Sequence, residues 1–157
     1  NAPIDRCLQG DVQALGQAER RGLKSFMDNG CAACHSGVNM GGGMYAKFGV
    51  ASPPPADLLP PGDVGRFAVT RDEPDRYSYK VPTLRNIALT SPYFHTGKVW
   101  NLDEAVTVMA KTQLGKTLPQ QEVSDIVAFL RSLTGDQPKT SVPALPPVTG
   151  TSARPVD

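Results

Sequence analysis

The sequence predicts a mainly α domain whose helices are joined by long irregular loops and which ends in an extended Pro-rich tail. Three observations carry this expectation. Three stretches have apolar residues at helical spacing, and residues 36–82, between the first and the second, show no sustained period. Fifteen glycines and fifteen prolines in 157 residues are a high share and imply segments that need something besides helix or strand pairing to organise them. A compact "CAACH" run directly follows the first periodic stretch.

From Ala14 to Asp28, Leu15, Ala18, Leu23, Phe26 and Met27 fall mostly on one face and Glu19, Arg20, Arg21 and Lys24 on the other, which predicts an amphipathic helix. "DNG" ends it, with Gly30 suited to a left-handed stop. Residues 36–82 contain "GGG", "SPPPADLLPPGD" and "DEPD" and read as loop with at most short turns. "NLDEAVTVMA" opens with Asn101 as N-cap and Glu104 as a carboxylate that can reach back. Leu102, Ala105, Val106 and Met109 share a face, so a short helix is expected to end near Met109. A stronger helix runs from Pro119 through Val123, Ile126, Val127, Leu130 and Leu133 to Gly135. The domain is therefore expected over residues 1–135, and residues 136–157 form a tail too rich in proline for a helix or central strand.

Length allows one domain and one core. Hydrophobic residues make up 39% and the formal net charge is +1, which argues against disorder and against a nucleic-acid surface. No apolar run approaches the roughly 20 residues needed to cross a bilayer, so no membrane insertion is expected. The chain begins "NAPIDRCLQGD", without initiator methionine or signal peptide, which implies a segment upstream.

Two of three cysteines and one of two histidines lie within Cys31–His35. A Cys-x-x-Cys pair sets two thiols on one side of a turn, and a histidine after the second can reach the iron of a macrocycle tethered by thioethers, the c-type haem pattern. Four other readings compete. A zinc site from Cys7, Cys31, Cys34 and a histidine lacks a second close ligand pair, and a redox dithiol would want a preceding strand. A plain disulfide, or buried structural thiols, leaves His35 unexplained. Cys7 lies 24 positions before Cys31 and reads as a small buried apolar residue.

With His35 on iron, Met40, Met44, His95 and Met109 are candidates for the sixth position. Met27 precedes the motif on its helix and is set aside. Met40 and Met44 are five and nine positions from His35, too short a chain to pass comfortably around a haem edge. Met109 has no such limit, yet it continues the stripe of Leu102, Ala105 and Val106 and reads equally well as core filler. His95 reads either as an ordinary partly exposed histidine or as a group at a domain interface. Arg85, and more weakly Lys80, are candidates to pair with a haem propionate.

The strings "VPTLRNIALTSPYFHTGKVWNLDEAVTVMAKTQLG" and "IVAFLRSLTG" resemble the bacterial dihaem cytochrome c peroxidases, specifically their C-terminal, electron-transferring haem domain. "RGLKSFMDNGCAACHSGVNMGG" is similar to the attachment region, "GDVGRFAVT" to the loop after it and "PKTSVPALPP" to the extended C-terminus, so the likeness covers nearly the whole chain. The resemblance implies a class I cytochrome c-like fold, covalently bound haem c on Cys31, Cys34 and His35, and Met109 as the distal ligand. It also implies a calcium ion held partly by the backbone carbonyls of Thr90 and Pro92, and a tail packed on a neighbouring domain. The implied reaction is reduction of hydrogen peroxide to water in the bacterial periplasm. The implied partners are a small cytochrome c or cupredoxin donor and an N-terminal peroxidatic haem domain, with a homodimer left open. The chain itself holds no catalytic residue in this reading and serves as an electron relay. A free-standing monohaem electron carrier is the alternative.

Overall fold

The computed structural model describes residues 1–141. Two helices organise it. Helix α2, Gln17–Asp28, starts at Gly16, whose N–H donates to the Glu19 carboxylate at 2.6 Å, and stops at Asn29 before left-handed Gly30 (φ 89°). Helix α5, Gln120–Arg131, begins behind Pro119 and buries Val123, Ile126, Val127, Phe129 and Leu130. The two cross at Gly22. A Cβ built there would fall 1.8 Å from the carbonyl oxygen of Asp125, so only hydrogen fits. Beside the crossing, Arg21 Nε and Nη2 each donate to an oxygen of the Asp125 carboxylate at 2.8 Å. One turn on, Phe26 packs on Phe129 with ring centroids 5.2 Å apart.

Helix α4, Leu102–Leu114, is capped by Asn101, whose side-chain oxygen accepts from the Asp103 N–H at 2.8 Å. It does not end near Met109. Nothing in Ala110–Leu114 breaks the ladder, and the stop is Gly115, left-handed at φ 65°, whose N–H donates to the Lys111 carbonyl. Thr112, fully buried inside this extra turn, satisfies its hydroxyl on the Val108 carbonyl at 2.7 Å.

The stretch expected to be loop contains two three-residue strands, β1 (Tyr45–Lys47) and β2 (Ser78–Lys80). They pair antiparallel with Tyr45 opposite Lys80 and Ala46 opposite Tyr79. The short helix α3, Phe67–Thr70, and a 3-10 turn at Glu73–Asp75 lie between them. Strands this short carry no readable alternation, so their pairing is decided by contacts distant in sequence. A six-residue helix, α1 (Pro3–Leu8), was equally invisible. Its Asp5 pairs with Arg85 at 2.7 Å, and its Ile4 N–H donates to the Ser132 carbonyl, tying the start of the domain to the end of α5. Cys7 is half-buried against the core, in keeping with the apolar reading. Residues 136–141 have no regular structure, and the rest of the expected tail lies outside the described residues.

Replacing Gly22 with alanine in the haem-loaded chain should cost about 1–3 kcal/mol, because the backbone of α5 must move away from α2. Chemical unfolding measures it. Asp125 is held below the usual carboxylate range, first by its bonds from Arg21. A carboxylate depressed in the folded state adds stability above its unfolded value and loses it as pH falls through the folded one. The melting temperature should therefore drop as pH falls below about 4, and less so in Arg21→Gln.

Candidate functional site

Left-handed Gly30 turns the chain out of α2 into a 3-10 turn at Cys31–Ala33, and the His35 N–H closes back on the Cys31 carbonyl at 3.0 Å. This local geometry brings Cys31, Cys34 and His35 to the wall of one cavity of about 600 Å³. Phe26 of α2, Leu102, Ala105, Val106 and Met109 of α4, and Ile126 and Leu130 of α5 supply most of the remaining apolar lining on the helical side. Ala46 and Phe48, β2, and residues from the 81–95 segment line much of the opposite side. A partly open cavity of this size, lined this way, suits a large apolar group.

His35 is prepared as a metal ligand. Burial pushes its imidazole below the ordinary histidine value, against the smaller opposing effects of the Met40 and Pro82 backbone, so the ring is neutral and keeps a lone pair. Its Nδ1 is buried and lacks a hydrogen-bond partner. Gly41 makes room beside it. At φ 128°, a Cβ on Gly41 would fall 2.2 Å from the Pro82 carbonyl oxygen and 3.3 Å from His35 Nδ1. Both cysteines carry free thiols, and burial raises that of Cys31. An apolar cavity, a neutral imidazole and two adjacent thiols together fit haem c.

The competing readings find little support. The motif follows a helix, not a strand. Among the described residues no group of three or more His, Cys, Asp or Glu side chains is arranged to hold a metal ion by itself.

Of the four methionines, only Met109 lines the cavity. Met27 and Met44 are exposed, and Met40, at φ 52°, packs against the core elsewhere. Thr90 and Pro92, expected to offer carbonyls to calcium, lie on the cavity wall. Arg85 does not. Its guanidinium is held by Asp5 and, at 2.9 Å, by the Val38 carbonyl, both away from the cavity lining, whereas Lys80 does reach that lining. His95 is on the wall too, bonded through Nε2 to Asp63 at 2.6 Å and stacked on Tyr79. Asp63 and Tyr79 escaped sequence reasoning because 32 and 16 positions of irregular chain separate them from His95, with no motif linking them.

The cytochrome c family model matches residues 19–134. The chain is 50% identical over its whole length to the cytochrome c551 peroxidase of Pseudomonas aeruginosa, covering 45% of that protein. It is 48% identical over 92% of its length to the cytochrome c551 peroxidase of Nitrosomonas europaea, covering 42%. It is 46% identical over 86% of its length to a cytochrome c peroxidase of Escherichia coli, covering 29%. The chain thus spans less than half the length of these relatives. Among solved structures, a MauG-like protein associated with microbial copper homeostasis superimposes with a TM-score of 0.74 at 27% identity, over 87% of this chain and 52% of the other. The family match spans the helices and the Cys31–His35 motif that build the cavity, and the chain belongs to the cytochrome c family, similar in sequence to bacterial cytochrome c peroxidases.

Proposed function

We propose that this chain is the electron-transferring haem domain of a dihaem cytochrome c peroxidase, which reduces hydrogen peroxide to water with electrons from a small cytochrome c or copper protein. The observation that carries it is the gathering of Cys31, Cys34, His35 and Met109, alone among the methionines, around one apolar cavity. Cys31 and Cys34 would hold haem c through thioethers, with His35 and Met109 as axial ligands. Bound there, the haem supplies a one-electron couple, and thioether ligation favours its reduced state. The surrounding side chains of α4 and α5 exclude water, which strengthens that preference and keeps the ligand set fixed.

With His35 and Met109 both committed, this chain offers peroxide no position. Peroxide reduction, with two electrons and two protons giving two waters, is assigned to a peroxidatic haem domain outside these residues. The lengths of the relatives leave room for one. Calcium bound through the Thr90 and Pro92 carbonyls would sit at that junction, and a periplasmic setting suits thioether attachment and peroxide chemistry. Release of haem-loaded protein by osmotic shock tests the compartment.

Met109→Ala in the haem-loaded chain should abolish the far-red charge-transfer band of methionine-ligated ferric haem and lower the midpoint potential by roughly 0.1 V or more. Retention of the band would move the ligand to Met40 or Met44. The 157-residue chain should accept an electron from a reduced small cytochrome c yet show no peroxide-dependent oxidation of that donor. Steady turnover by the pure chain would contradict the relay role.

A further inference from the structure

One cluster on the cavity wall has no part in ligating haem. His95 faces the cavity, while its partner Asp63 lies in the adjoining surface groove, and Tyr79 and Lys80 belong to both. Asp63 Oδ2 meets His95 Nε2 at 2.6 Å, and Asp63 Oδ1 accepts the Tyr79 hydroxyl at 2.6 Å and the Gly65 N–H at 3.1 Å. The Tyr79 ring stacks on the His95 ring with centroids 4.3 Å apart and planes 20° apart, and Phe48 stands edge-on to both. The imidazole is thereby fixed in one orientation, with a carboxylate on one nitrogen.

The chain has two histidines. With His35 committed to iron, His95 is the chain's other imidazole. Its side chain is 34% exposed, so it exchanges protons with solvent directly. The charged and titratable groups around it are Asp63, Tyr79 and Lys80. Burial pushes the Asp63 carboxyl up, but bonds from Tyr79, Gly65 and His95 outweigh it and hold the group below the usual range, so it stays an anion. Burial and then the Asp63 charge push the Tyr79 phenol up, so it stays a neutral donor. Lys80 lines the same cavity, and Asp63 is in direct contact with the imidazole.

We infer that His95 is the proton acceptor coupled to reduction of the haem. As one electron arrives from a one-electron donor, His95 gains one proton from solvent, and Asp63 holds the imidazolium so formed. The electron removes one positive charge from the cavity and the proton restores it, in surroundings where charges interact more strongly than in water. Linkage makes the effect mutual: reduction raises the proton affinity of His95, and protonation raises the midpoint potential by the matching amount. The potential must then fall with rising pH between the titration of His95 in the oxidised protein and that in the reduced protein, and lie level on either side. The inference rests on haem c occupying this cavity.

Spectroelectrochemical titration of the haem-loaded chain from about pH 5 to 9 tests it. The potential should fall across a window of about one to two pH units in the wild type, lose that window in His95→Gln, and show it at lower pH in Asp63→Asn. Proton NMR of His95 in the unaltered protein needs no variant and should give a higher titration midpoint in the reduced state. Equal midpoints in the two states, or a window that survives in His95→Gln, overturn the inference while leaving the haem assignment intact. A chain that takes up no haem, seen from the missing Soret band, defeats the haem assignment and this inference with it.

Discussion

The close approach of α2 and α5 at Gly22 is the constraint on which the rest of the domain depends. Two helix backbones can come this near only where one contributes no side chain, and the Asp125 carbonyl occupies the space a Cβ would need. The contact fixes where α2 ends, and so where Gly30 turns the chain into Cys31, Cys34 and His35. It also sets Phe26 against Phe129 beneath the imidazole, whose ring lies 6.4 Å from that of Phe26. A motif needing three side chains at one cavity wall therefore sits directly after the most tightly constrained helix in the fold.

The second organising element is the cavity. Helices α2, α4 and α5 supply one part of its wall. Much of the rest comes from the Cys31–His35 motif, Ala46 and Phe48, β2 and the Pro82–His95 segment, where regular structure is sparse. Loops of this length seldom hold their shape without something to pack against. Here they are pinned by the two-stranded β1–β2 pairing, by Gln113 of α4, which accepts from the Gly49 N–H at 2.7 Å and donates to the Lys47 carbonyl, and by Asn86, which accepts from the Gly135 N–H at 2.9 Å. Each of these contacts links segments tens of residues apart in the chain and holds the irregular half of the protein against the helices and strands around the cavity.

The polar cluster of Asp63, Tyr79 and His95 belongs to that irregular half. Its members come from three separate stretches of loop and strand, brought together by the β1–β2 sheet and by the turn that ends at Gly65. Placing an imidazole between an apolar cavity and a water-facing carboxylate gives the site a group that answers to events on both sides. In the proposed reading the axial ligands set how readily an electron is held, and the cluster would tie that readiness to the protonation of the surroundings.

The sequence by itself determined helices α2 and α5, the start of α4 and the Cys31–His35 motif. The periods of 14–28 and 119–135, the left-handed stop at Gly30, the Asn101 cap and the Cys31–His35 spacing are local signals, each readable within one short segment. It could not separate Met109 as ligand from Met109 as core filler, because both put a methionine on the same helix face. Which methionine shares a cavity with His35 depends on how α4 packs, and only the folded chain decides it. The same holds for Arg85, whose charge is as consistent with a propionate as with Asp5 until α1 is seen beside it. Strands β1 and β2, helix α1 and the Asp63–Tyr79–His95 cluster left no trace in the pattern. Their stability comes from partners far along the chain, and periodicity within a short segment carries no information about such partners.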